Sequence, residues 1–306
     1  MKRGCVIGYD INEKGCQISY YDDSMEEPDT MMASSNNYLI PLVLGYFKDR
    51  WVFGKEAKRL AVVGEDCTET DLYGKAKRRE KVILAGKTYD AVWLLAKYIS
   101  LTLQDFENIQ YLTFTTPETD VDMAKMLKGI GQHIGVDKEI ISVQDYKESF
   151  CQYMIFQPKE LWQYESALFY CDEDRIKAYM LRRLRVDASH GMNSFVTVDE
   201  VANAQRKELE ALYPIMNKEK SPDESFKSMI ENVFEKKVIS SVYLTGEGFE
   251  KNWYPNSLRV LCNGRRAFMG NNLYSKGACY KSIRKCESND DGPIYLDETK
   301  LTERIC

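Results

Sequence analysis

The sequence predicts an α/β protein of two lobes with a cleft between them, on three observations. An apolar strand, Cys5 to Ile11, runs into an acidic turn and out into a second strand ending near Tyr20. The same arrangement returns in Ala167 to Ala178, around the acids Asp172, Glu173 and Asp174. After each hairpin the pattern changes from strands to alternating strands and amphipathic helices, which is the mark of layered α/β architecture. Two such hairpins in one chain imply a duplication, and the cleft between the duplicated halves would be the place for the phosphates of a nucleotide.

The elements follow in order. The first hairpin gives way to a polar loop over residues 22–37. Tyr38 to Gly54 holds two β-rich runs around Lys48-Asp49, the pattern of a hairpin. Residues 55–62 read as a short helix. Apolar residues at Ala91, Leu94, Leu95, Tyr98, Ile99, Leu103 and Phe106 recur every three to four positions and predict a core-facing helix over Asp90 to Asn108. Ile109 to Thr116 reads as a strand stopped by Pro117. Thr119-x-x-Asp122 predicts a capped helix to about Ile134, followed by a strand from Glu139 to Val143 and a helix from Asp145 to Ile155.

In the second half, Thr197-x-x-Glu200 predicts a long helix to about Met216. Ser221-Pro222-Asp223-Glu224 combines a capping serine, a proline at the first helical position and an acid three residues on. Phe226, Met229, Ile230, Val233 and Phe234 then share one helical face. Val238 to Leu244 is a buried strand, Leu258 to Leu261 a short one, and the last helix lies near Asn272 to Arg284. The expected division is a first lobe over 1–163, a second over 164–285 and a tail over 286–306.

Composition narrows the function classes. The chain has 306 residues, 44% of them hydrophobic, enough for sizeable cores. A net charge of −5 argues against a general pull toward nucleic acid or anionic membrane. Nine cysteines include no Cys-x-x-Cys pair and there are two histidines, so zinc-site spacing is absent. Cysteines inside apolar strands suit a reduced, cytoplasmic protein. No apolar leader precedes the first strand and no run of about 18 apolar residues occurs.

Asp10, at the carboxyl end of a buried strand, is placed to hold Mg²⁺ through water. The turn after it can offer backbone N–H groups to phosphate oxygens, with Asn12 standing where glycine is easiest and Lys14 able to neutralise a phosphate. A plain hairpin turn uses the same residue types. The turn at Asp172 has no glycine and three acids, which suits a solvated hairpin. Gly246 and Gly248 end a buried strand where a ligand can approach the backbone, although glycines end many strands. The basic runs 75–81 and 182–185 read as solvated or salt-bridged faces. Asp187-Ala188-Ser189-His190 has the residue types of a hydrolytic triad without its geometry.

Taken in order, six segments resemble the actin-like (ribonuclease-H-like) ATPase superfamily, most of all the nucleotide-binding domain of DnaK-type heat-shock chaperones. Gly8-Tyr9-Asp10-Ile11 resembles its first phosphate motif, Gly-Ile-Asp-Leu-Gly-Thr. Ile40 to Val43 through Phe53 to Ala57 is similar to its Pro-Ser-x-Val and Val-Gly-x-x-Ala segments, and Leu112 to Pro117 to its Ile-Thr-Val-Pro strand. Ala167 to Ala178 lies at the second phosphate motif, Val242 to Gly248 resembles the adenosine segment, and Asn271 to Ala278 the closing helix.

The resemblance implies ATP or ADP with Mg²⁺, held by Asp10, Asn12, Lys14, Asp172, Gly246 and Gly248, with Asp10 and Asp172 toward the metal. The departures decide the expected function. Of the second motif, Asp-x-Gly-Gly-Gly, only Asp172 remains, and the first motif has Asn12 and Glu13 in place of Gly and Thr. Such losses remove donors on which phosphoryl transfer depends. The expectation is a degenerate chaperone-like nucleotide-binding domain, a regulatory or scaffolding module for another protein. An active ATPase and a small-molecule kinase of the superfamily are the alternatives, and no residue is singled out as a catalytic base. The family's peptide-binding domain is not in this chain, so either the protein lacks it or a longer chain continues past Cys306.

Overall fold

The structure, a computed structural model, describes residues 4–35, 37–63, 67–184, 194–205, 221–287 and 292–297. It is an α/β protein with two mixed β-sheets flanked by helices. Two compact units result, one from Met1–Ser149 with Tyr274–Asp290, the other from Phe150–Leu273 with Asp291–Cys306.

The first unit opens with β1 (Cys5–Ile11), β2 (Gly15–Tyr21), β3 (Asp29–Thr30) and β4 (Ile40–Pro41). The hairpin of β5 (Leu44–Phe47) and β6 (Arg50–Phe53) closes through Lys48 and Asp49, both at positive φ, the requirement of a type I′ turn. Next come α1 (Gly54–Val63), β7 (Thr68–Glu69), α2 (Leu72–Lys77), the hairpin β8 (Lys81–Leu84) and β9 (Lys87–Asp90), and α3 (Ala91–Thr102). The Asp90 side chain caps α3 by accepting from the N–H groups of Val92 and Trp93. β10 (Ile109–Thr116), α4 (Val121–His133), β11 (Ile141–Asp145) and α5 (Tyr146–Ile155) complete the run. The cap of α4 is Asp120, whose carboxylate accepts from Met123 N at 2.7 Å, rather than Thr119. Residues 138–140 form a 3-10 turn, so the strand expected from Glu139 starts two residues later.

The main sheet of this unit has the order β11-β10-β1-β2-β3, with β4 also on β2. β1, β2 and β3 form an antiparallel meander, and β10 and β11 add to β1 in parallel. Alternate residues along each strand face opposite sides. One face, with Ile7, Tyr9, Ile18, Leu112 and Phe114, packs on α3 and α4. The other is polar. Its first row runs Ser19, Gly8, Thr113 across the strands, and its second Gln17, Asp10, Thr115, Gln144.

The helix α8 (Leu273–Cys286) lies on that first row. Ser275 Oγ meets Ser19 Oγ at 2.8 Å, and Ser282 Oγ donates to Ile7 O at 2.9 Å. Gly8 makes the approach possible, because a Cβ there would stand 2.1 Å from Ser275 O.

The second unit holds β12 (Glu165–Cys171), β13 (Arg175–Leu184), β14 (Phe195–Gln205), α6 (Pro222–Phe234), β15 (Ile239–Thr245), α7 (Pro255–Leu261), β16 (Arg266–Met269) and β17 (Ile294–Tyr295). Its sheet runs β16-β15-β12-β13-β14-β17. Again a three-strand antiparallel meander receives two parallel strands on its first strand. The two units therefore repeat one topology. Phe169, Ala178, Val242 and Leu244 pack under α6 through Phe226, Ile230 and Val233.

Two expectations are corrected here. Residues 195–205 form a strand, not the start of a helix. Val196, Thr197 and Val198 are β-branched and buried, and β13 supplies ten register partners along β14. The rest of the expected helix, 206–216, falls outside the described residues, as do Arg185 and 187–190. Leu258 to Leu261 belongs to a helix, α7, rather than a strand. Pro255 occupies its first turn and Asp223 of α6 caps it, accepting from Asn256 N at 2.7 Å and Ser257 N at 2.8 Å. Among the described residues no helix is long and apolar enough to cross a membrane.

Candidate functional site

The two hairpin turns are built alike. In the first, Asn12 N donates to Gly15 O at 3.0 Å, and Asn12 Oδ1 accepts from Lys14 N at 2.9 Å and Gly15 N at 3.2 Å. In the second, Asp172 N donates to Arg175 O at 3.1 Å, and Asp172 Oδ1 accepts from Asp174 N at 2.8 Å and Arg175 N at 2.7 Å. Each is an Asx turn, in which a short side chain satisfies the backbone donors of its own loop. Three backbone donors of each turn, those of Asn12, Lys14 and Gly15 and of Asp172, Asp174 and Arg175, are thus engaged by the chain itself. Replacing Asn12 with alanine is expected to lower stability by about 1 kcal/mol in urea unfolding, and Asp172→Ala by a similar amount.

The strand register fixes which residues correspond. Ile11 pairs with Cys16, and Cys171 with Ile176. Asn12 is therefore equivalent to Asp172, and Asp10 to Tyr170. The row Gln17, Asp10, Thr115 of the first sheet becomes Lys177, Tyr170, Thr245 in the second. The second unit has no carboxylate where the first holds Asp10. Asp10 and Asp172 are not the matched pair that their place in the two acidic turns suggests.

Asp10 sits at the carboxyl ends of the parallel strands β1, β10 and β11, where ligands bind in open α/β sheets. It is 3% exposed. The Tyr146 hydroxyl donates to Asp10 Oδ1 at 2.8 Å and accepts from Asn12 Nδ2 at 3.0 Å. The Tyr146 ring stacks on Tyr274, with centroids 3.7 Å apart and planes 5° from parallel. Burial pushes the Asp10 carboxyl up to about 7, against the opposing pull of the Tyr146 hydrogen bond.

Its row neighbours are polar and covered. Thr115 Oγ1 meets Ser149 Oγ at 2.7 Å, and Gln144 Nε2 donates to Ser149 Oγ at 2.6 Å. Gln17 Oε1 and Gln144 Oε1 are buried acceptors with no hydrogen-bond partner among the described residues. Such oxygens suit a donor, water first of all.

Gly246 and Gly248 have an internal explanation. Gly246 is at φ 99°, and a Cβ on it would stand 2.1 Å from Cys171 O. A Cβ on Gly248 would stand 2.3 Å from Cys171 Sγ and 2.9 Å from Asp172 O. Gly246 N donates to Asn271 Oδ1 at 3.1 Å, and Gly248 O accepts from Trp253 Nε1 at 2.8 Å. Both glycines let the loop after β15 close over the end of β12, on an aromatic cluster of Phe226, Phe249, Trp253 and Tyr254.

The predicted site residues thus form two groups. Asp10, Asn12 and Lys14 share the first unit's turn, with Lys14 exposed. Asp172, Gly246 and Gly248 gather around Cys171 in the second. Tyr146, Tyr274, Gln17 and Gln144 were not foreseen, and Tyr146 is 136 residues from the carboxylate that it binds. Among the described residues no group of three or more His, Cys, Asp and Glu side chains can hold a metal ion. Asp10 is thus a single buried carboxyl beside a turn whose Asn12 side chain accepts from two of its own amides.

In the basic run 75–81, Lys75 pairs with Glu69 at 2.8 Å, and Arg78 with Asp71 at 2.9 Å and Glu80 at 2.6 Å, while Lys77, Arg79 and Lys81 are exposed. A family described as "Family of unknown function (DUF5716) C-terminal" matches residues 27–298, a span that begins after β2 and so leaves out the Asp10 turn. No curated protein matches the chain.

Proposed function

Because this chain belongs to the DUF5716 C-terminal family, we propose for it a two-lobed actin-like fold that has become a protein-binding scaffold without ATP hydrolysis. The repeated topology supports the fold: each unit has a meander followed by two parallel strands, as the ribonuclease-H-like duplication requires. One observation carries the functional reading. Asn12 and Asp172 each accept hydrogen bonds from two backbone donors of their own turn, so Lys14 N, Gly15 N, Asp174 N and Arg175 N are turned to their own loop rather than to phosphate oxygens.

Two further facts agree. Burial raises the Asp10 carboxyl to about 7, and its oxygen Oδ1 is already taken by the Tyr146 hydroxyl. The equivalent of Asp10 in the second unit is a tyrosine. In a phosphate-release assay with Mg-ATP, the protein is expected to release phosphate no faster than its Asp10→Ala variant. Turnover that disappears in that variant would instead establish an active ATPase.

A further inference from the structure

At the end of the second sheet opposite the 172–175 turn, β12 and β15 begin and β13 ends. A cavity of about 370 Å³ opens there. Its charged lining is Glu165, Arg182, Arg183, Lys236 and Lys237, four cations and one acid. The acid is already engaged: Glu165 and Asp199 hold Arg182 at 3.0 and 3.1 Å.

Of the other three cations, Arg183 and Lys237 meet no carboxylate among the described residues. The Arg183 guanidinium lies 4.9 Å from the centre of the Trp162 ring, and no carboxylate pairs with it among the described residues. Lys237 Nζ donates to Val233 O at 2.7 Å, a neutral carbonyl at the end of α6. The Lys236 side chain is 89% exposed and pairs at the surface with Glu235, at 3.4 Å. A concentration of positive charge on a chain of net charge −5 is a local feature with a local use. Beside these cations stand Tyr164, Leu184 and Val238, all large and exposed at 54%, 43% and 63%.

We propose that this cavity docks an extended acidic segment of a partner protein. Its carboxylates would meet Arg183, Lys236 and Lys237, and an apolar side chain between them would rest on Tyr164, Leu184 and Val238. The charge excludes a cationic ligand. A nucleic acid fits less well, since Tyr164 is the one ring in the lining on which a base could stack. The proposal goes beyond the nucleotide question and stands whether or not ATP binds.

The test is fluorescence anisotropy with a labelled peptide of alternating glutamate and leucine. Saturable binding is expected, weakened at least about tenfold by Lys236→Glu and by Arg183→Glu. It is also expected to weaken as salt rises from about 0.05 to 0.5 M. Lys236 projects into solvent, so its reversal leaves the fold intact and keeps the test valid even if Arg183→Glu disturbs the stack on Trp162. Three results would overturn the proposal: no saturable binding up to about 1 mM peptide, equal affinity in Lys236→Glu, or tighter binding of an oligothymidylate of equal charge.

Discussion

Asp10→Asn is expected to remove a pH dependence of stability that the native protein shows between about pH 4 and pH 7. An unfolded aspartate releases its proton near 3.9, whereas burial holds the folded Asp10 proton up to about 7. Between these values the folded protein retains a proton that the unfolded chain has lost. The stabilisation is thus present below the lower value and is lost as pH rises through the upper one, by at most on the order of 4 kcal/mol. Asparagine has no proton to release and keeps an oxygen for the Tyr146 hydroxyl. Urea unfolding at about pH 5 and pH 8 should show the native protein weakening with pH and the variant nearly level. Equal slopes in the two proteins would mean that the folded Asp10 is ionised, and the metal reading would regain its footing.

The second large effect is expected at Gly8. Its added Cβ in Gly8→Ala would lie 2.1 Å from Ser275 O and 2.2 Å from Cys279 N, both backbone atoms of α8. A helix backbone cannot turn aside as a side chain can, so α8 must shift off the polar face. That shift would break hydrogen bonds such as Ser19 to Ser275 and Ser282 to Ile7 O. A loss of about 3 kcal/mol is expected in urea unfolding. A loss below about 0.5 kcal/mol, the range of ordinary surface substitutions, would show that α8 does not lie on β1 this closely.

The strands and most helices could be read because their signals are local. The apolar run of β1, the three-to-four spacing of α3 and the Ser221-Pro222 start of α6 each contain their own cause. Errors arose where the cause lies elsewhere in the chain. Thr197-x-x-Glu200 imitates a capping box, but pairing with β13 decides that segment as strand. α7 is too short to show a period and takes its cap from Asp223, thirty-odd residues upstream. At the site, the turns could be seen but their equivalence could not. Matching acid to acid joins Asp10 with Asp172, whereas counting from the first strand pair joins Asp172 with Asn12. Tyr146 left no signal near Asp10, because a parallel crossover brings it there. The basic run 182–185 was visible as charge, but the cavity that Arg182 and Arg183 border depends on residues 236–238 arriving from the end of α6.

The proposed loss of ATP binding rests on the two Asx turns, whose side chains take up backbone donors of their own loops. Calorimetric titration of the protein with Mg-ATP tests it most directly. No binding tighter than about 1 mM is predicted, for the native protein and for Asp10→Ala alike. Micromolar binding in the native protein that vanishes in Asp10→Ala would contradict it.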